Sequence, residues 1–257
     1  MSLTKNLIKR DVFQRSYFFE EITLLMRGAF KMEVIPTIDK NELAKLFGSD
    51  EFGNVSRSTC TKIEKLEAVF NELIDPSLHH QNMGVDSVKK GTVHLEEGPE
   101  LKSPKLSKTL KDCEEIVCYI ITLGDGIEDE INRLMDEKHL AEAYILDAMA
   151  SVAVDNMVST FHQRMKNKYE NQSKQVTLCF SPGYCDWPIT DQKKLFSMFD
   201  SNELDVELTD SCFMQPRKSI SGVFGITAFN SNPSTHSYNP CLECNRKNCS
   251  ERRESAH

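Results

Sequence analysis

The sequence predicts an α+β protein, and three observations carry the prediction. Residues 115–122 (EIVCYIIT) form a nearly continuous apolar run of strand length that stops at Gly124 and Gly126, as a buried strand does. Within residues 140–165, Leu146, Ala150, Ala153, Met157 and Phe161 fall at helical spacing over about four turns, with small side chains that permit close packing. Residues 220–229 are strand-like again, alternating imperfectly through Ile220, Val223, Ile226 and Phe229.

The remaining elements follow in order. Over residues 11–27, Val12, Phe13, Tyr17, Phe18, Ile22 and Leu25 recur at three to five residue steps and predict a helix with one buried face. Residues 32–36 (MEVIP) read as a short strand, and Asp39 opens a helix over 39–46. Gly48, Gly53 and the cluster around Ser56 mark a loop, after which Ile63, Leu66, Val69, Phe70 and Leu73 predict a helix over 61–73. The polar stretch 76–104, with three glycines and the pair His79 and His80, reads as a linker or insertion. Residues 107–110 read as part of a helix, 127–137 as a short acidic helix, 175–180 as a strand broken by Ser181, Pro182 and Gly183, 190–199 as a helix and 204–208 as a strand. Three regions result: a mixed N-terminal region at 1–100, a core at 101–238 and a cysteine-containing tail at 239–257.

Composition narrows the function. The chain has 257 residues, 39% of them hydrophobic, enough to fill a core. A formal net charge of -8 repels a phosphate backbone, so nucleic acid is excluded as a partner class. No apolar run approaches the ~20 residues a membrane helix needs, and no signal-type apolar segment follows the first residues, so a cytoplasmic protein is expected. Nine cysteines, an odd number, favour reduced thiols or metal ligands over a disulfide framework.

Chemistry-bearing residues fall in three places. On the long helix Asp147, Ser151 and Asp155 repeat every four residues and line one face, either as a solvated strip or as a ligand-facing one. Pro182-Gly183-Tyr184 makes a tight turn in which glycine admits close ligand approach and tyrosine offers a ring face and a hydroxyl; a plain strand-to-helix turn has the same composition. Trp187, the only tryptophan, either covers a flat ligand or fills the core. In the tail, Cys241, Cys244 and Cys249 form CxxCxxxxC, whose first pair can reach one metal, zinc or an iron-sulfur cluster. A fourth ligand has to come from elsewhere, with His257, Cys185 or a partner as candidates, and an open redox site is the alternative.

Three segments go further. VCYIITLGDGIEDEINRL with ILDAMASVAVDNMVSTFHQR, CFSPGYCDWPITDQKKLF, and LTDSCFMQPRKSISG together resemble the activation domain of cobalamin-dependent methionine synthase, and its free-standing relatives more closely still. The resemblance implies an α+β fold with a twisted, mainly antiparallel sheet and flanking helices. It implies S-adenosylmethionine as ligand, a corrinoid protein or cobalamin-dependent methyltransferase as partner, and support of reductive methylation of that partner's cobalamin. It places Asp155 at a ligand-binding carboxylate, with Asp147 as companion, and Pro182, Gly183 and Tyr184 in the ligand turn. It also implies an arginine five residues before Tyr184, where this chain has Cys179, a thiol unable to make a bidentate pair with a carboxylate. Arg217 and Lys218 are the candidate substitutes. The alternative reading is a metal- or redox-binding module using the tail, with a vestigial S-adenosylmethionine pocket.

Overall fold

A computed structural model describes residues 34–229, 239 and 241–243. The helix expected over 11–27 lies outside the described residues. Residues 34–39 carry no regular structure, so the strand expected at 32–36 is not formed there; Val34 is buried in the core instead. Asp39 then caps α1 (Lys40–Leu46), its carboxylate accepting the N–H groups of Asn41 and Glu42. Ser56 caps α2 (Arg57–Leu73) in the same way, through the Thr59 N–H.

The polar stretch expected to be a linker is strand. β1 (Ser77–Lys89), β2 (Thr92–Leu95) and β3 (Leu101–Lys102) form half of a six-stranded sheet in the order β3-β2-β1-β4-β8-β5, which runs across the boundary expected near residue 100. Every pairing in it is antiparallel. β1 escapes a composition-based reading because its polar side chains have partners that no local pattern reveals. Asn82 donates to the Tyr169 hydroxyl at 2.8 Å and Gln81 to the Met198 carbonyl, while Leu78 and His80 are buried. One strand serves two neighbours: residues 77–84 pair with β4, and Val85 to Lys89 pair with β2 with a register shift between Val85 and Ser87.

β4 (Glu115–Thr122) is the centre of the sheet and is buried on both faces. Val117, Tyr119 and Ile121 point into a core shared with α1, α2, α4 (Gly126–Asp136) and α5 (Leu140–Glu170). Ile116, Cys118 and Ile120 point into a second core covered by α3 (Pro104–Thr109), the 180–199 segment and α6 (Gln192–Phe196). This two-sided burial explains why EIVCYIIT reads as an unbroken apolar run. β8 (Ser219–Ala228) lies beside β4 and carries β5 (Lys174–Val176) on its outer edge. A small hairpin of β6 (Glu207–Leu208) and β7 (Met214–Gln215) precedes β8. Among the described residues, no helix is long and apolar enough to cross a membrane.

Candidate functional site

The site is built where the outer edge of β8 meets α5. After β5 the chain stays alongside β8: the Thr177 N–H donates to the Gly225 carbonyl at 2.9 Å, and Phe180 exchanges two 2.8 Å backbone bonds with Val223. Leu178 and Cys179 therefore stand together opposite Phe224, two residues against one, as in a bulge. The extra residue turns Cys179, half-buried, toward the helical core and Phe180 toward the opposite one. Ser181 leaves the sheet and begins the turn.

Tyr119 shares this point. Its ring is buried against Phe161 and Phe224, and its strand partner on β8 is Gly222. A Cβ at Gly222 would stand 2.7 Å from the Tyr119 hydroxyl, 2.8 Å from the Phe180 carbonyl and 2.9 Å from the Ser181 hydroxyl. The missing side chain is what lets the tyrosine hydroxyl and the root of the turn approach over β8.

The turn itself is braced. Gly183 adopts φ +91°, a backbone conformation open to glycine, and its N–H donates to the Trp187 carbonyl at 2.8 Å. Asp186 accepts from the Ser103 hydroxyl and, at 3.1 Å, from the Lys105 N–H, tying the turn to the start of α3. Trp187 is only 2% exposed, so the covering role over a flat ligand is ruled out; its indole N–H donates to Asp191 at 3.0 Å, and Lys194 pairs with the same carboxylate at 3.0 Å. Pro182 is buried beneath the turn, and Tyr184, 52% exposed, is the aromatic it offers to solvent.

The helix strip faces the same edge. Lys218, just before β8, pairs with Asp147 at 2.8 Å and donates to the Ser151 hydroxyl at 2.9 Å. Eleven residues beyond Ser151, the His162 ring nitrogen lies 2.8 Å from the Thr177 carbonyl, and its ring meets Phe224 edge-on. Residues 147, 151, 155 and 162 share one helical face, so α5 and β8 run side by side with Asp155 between two fixed contacts. Asp155 is exposed there. The structure thus brings Cys179 and the α5 face that carries Asp155 to the same side of β8, while the 182–184 turn is braced on α3.

The sequence reading did not anticipate Tyr119, Ser181, Gly222, Asp186 and Asp191. Gly222 carried the one available signal, a glycine inside a strand, which marks a close approach. Tyr119, Ser181 and Asp186 act through partners distant in the chain, and Asp191 through Trp187 and Lys194 close by. Ser219 and Ser221 are buried and bonded inside the fold, to Thr122 and Gln192, each at 2.8 Å.

A family model described as vitamin B12 dependent methionine synthase, activation domain, matches residues 106–239, which include the turn, the α5 strip and all of β8. The chain belongs to this family. A crystal structure of the MetH reactivation domain bound to AdoHcy superposes with a TM-score of 0.57 at 13% identity, covering 82% of this chain and 78% of that one. At that identity the likeness shows the shared fold. No curated protein is similar enough to the chain to match it.

Cations were expected to replace the missing arginine of the activation domain, and both candidates are engaged. Arg217 pairs with Glu128, whose carboxylate also accepts the Arg217 N–H at 3.0 Å, and Lys218 is held by the helix strip. In the tail, Cys241 is half-buried, while Cys244 and Cys249 lie outside the described residues. Among the described residues, no three metal-capable side chains gather.

Proposed function

We propose that the chain is an accessory activation protein of a corrinoid-dependent methyltransferase system, engaging a cobalamin-bearing partner and supporting reductive methylation of its cobalamin. The reading rests on the family-matched turn root, Cys179 to Ser181, which leaves β8 with Cys179 packed on the helical core to which α5 belongs. That a MetH reactivation domain was captured with AdoHcy supports an adenosyl ligand for a domain of this fold.

The fit to S-adenosylmethionine is one-sided. When bound, that molecule supplies a methyl group; the chain's part is to hold it. Asp155 suits an ammonium or a ribose hydroxyl, each such charge-assisted bond contributing ~1.5 to 3 kcal/mol when desolvated. The exposed Tyr184 ring suits a sulfonium or the face of a macrocycle. The carboxylate end finds a thiol at Cys179 and no uncommitted cation at Arg217 or Lys218. Weak ligand binding with partner engagement preserved is the reading that follows, and Tyr184 and Ile189, both exposed, offer the partner an apolar rim. Such work belongs in the cytoplasm.

The test is anaerobic incubation of the chain with a cobalt(II) corrinoid protein, reductant and S-adenosylmethionine, followed by absorbance. Conversion to the methylated cobalt spectrum faster than in a chain-free control is expected. Identical rates with and without the chain, across candidate corrinoid partners, would sink the proposal.

A further inference from the structure

The turn that carries Tyr184 closes on Trp187 twice. The Gly183 N–H donates to the Trp187 carbonyl at 2.8 Å, and the Trp187 N–H donates to the Tyr184 carbonyl at 3.1 Å. Tyr184 stands between two residues in the left-handed region, Gly183 at φ +91° and Cys185 at φ +55°; the second is a conformation that a non-glycine residue keeps where its surroundings over-determine it. On the other side of Trp187 a second loop closes, because the indole N–H donates to Asp191, four residues on. Ile189 lies in that loop, and a Cβ at Gly183 would stand 3.1 Å from its Cδ1. Tyr184 and Ile189, the exposed apolar residues of the rim, are therefore both fixed through Trp187.

Trp187 in turn is held by Asp191, which is buried. Asp191 ends a single helical turn, Ile189–Asp191, and stands directly before α6, a place where an aspartate ordinarily accepts the first N–H groups of its own helix. Among the described residues its carboxylate makes no such bond. Its oxygens go to the Trp187 indole and to Lys194, each at 3.0 Å, and the Lys194 ammonium also reaches the Glu100 carbonyl at 3.0 Å, just before β3. The neighbouring Gln192, also buried, accepts from the Ser221 hydroxyl of β8 at 2.8 Å. The sheet thus sets the place of Asp191, and Asp191 sets the place of the indole.

We propose that Asp191 is a positioning residue for partner engagement: through the Trp187 indole it holds Tyr184 and Ile189 in the arrangement that a cobalamin-bearing partner meets. The inference rests on the activation role proposed above and adds the group that shapes its rim. Asp191, being buried, acts through Trp187 and not by contact, so its effect falls on association and not on turnover. Removing the carboxylate leaves the indole N–H without its acceptor, while Lys194, whose side chain is 35% exposed, turns to solvent. The loss therefore lands on the two loops that Trp187 closes. A bond to a charged acceptor is worth roughly a tenfold change, or more, in the closed-to-open ratio of those loops.

The experiment uses the full chain and two readouts. The first needs no partner: hydrogen exchange of the Gly183 amide and of the single indole N–H, followed by nuclear magnetic resonance, with the amides of β4 reporting that each variant is folded. D191A is expected to speed both about tenfold or more, D191N, which keeps an acceptor oxygen, to restore most of the protection, and E137Q, a carboxylate change on α4, to leave both alone. W187F, which deletes the donor and keeps a ring, is expected to match D191A at Gly183, and the double variant to add nothing further. The second readout is the concentration of cobalt(II) corrinoid protein that half-saturates the reductive methylation assay. It is expected to rise about tenfold in D191A and W187F and little in D191N, with the rate at saturation unchanged. Wild-type exchange at Gly183 in D191A, or an unchanged half-saturation in a D191A chain whose turn has loosened, would each overturn the inference. A wild-type chain without effect on any corrinoid protein sinks the activation role and the partner with it, while the exchange rates still decide whether Asp191 positions the turn.

Discussion

Lys218 is locked to Asp147. Its ammonium reaches the Asp147 carboxylate at 2.8 Å, the Asp147 carbonyl at 3.1 Å and the Ser151 hydroxyl at 2.9 Å, using all three of its protons, and its side chain is 14% exposed. The contact fastens the start of β8 to α5 and removes Lys218 as a counter-ion for a ligand carboxylate.

A double-mutant cycle with K218M and D147N is expected to show coupling on the order of 1 kcal/mol, at the upper end for a pair whose carboxylate is half exposed. The measurement is the urea midpoint of the four proteins. Additive effects would mean the pair contributes nothing.

The missing ligand cation leads to a gain-of-function expectation. C179R restores a guanidinium at the edge of the turn, and a bidentate pair to a carboxylate is worth about 2 to 4 kcal/mol. Calorimetric titration with S-adenosylmethionine is expected to show weak or absent binding for the wild-type chain and roughly thirty-fold to nearly thousand-fold tighter binding for C179R. Micromolar affinity without the substitution would contradict the account of the site.

His80 links stability to pH. It is buried beside Phe161, and burial, with a smaller contribution from the positive Lys168, pushes its pKa down to about 4 from an ordinary 6.5. The unfolded chain therefore takes up a proton near pH 6.5 that the folded chain refuses until about pH 4. Stability attributable to this residue is full above pH 6.5, falls as the pH drops toward 4 and is flat below, a loss of about 3 kcal/mol. H80L is expected to remove that component from chemical unfolding measured between pH 7 and pH 4, and an unchanged slope would refute it.

Gly222→Ala tests the crossing at the turn root. The new methyl group meets the Tyr119 hydroxyl, the Phe180 carbonyl and the Ser181 hydroxyl, all under 3.0 Å. Two of the three belong to the segment that starts the turn, so the strain lands on the site. A loss of about 1 to 3 kcal/mol is expected. Pairing G222A with Y119F is expected to recover part of it in thermal unfolding, because the shortest contact is removed.

The sequence by itself determined the central strand, the long helix, β8 and the capped helix at Asp39, because each follows from a periodicity or a cap that local chemistry enforces. It determined the family as well, through the turn and the Ser-Ile-Ser-Gly run, since these depend on residue identity in order. Tertiary structure alone decided the rest. β1 looks like linker until Tyr169, Met198 and β4 satisfy its polar groups; Trp187 is core because the second core, with Val206 and Val223, closes over it; Lys218 is spent because α5 lies alongside β8. A sequence records which groups can bond, whereas the partner that takes each bond is set by elements tens of residues away, and at this sheet edge those distant partners determine what remains for a ligand.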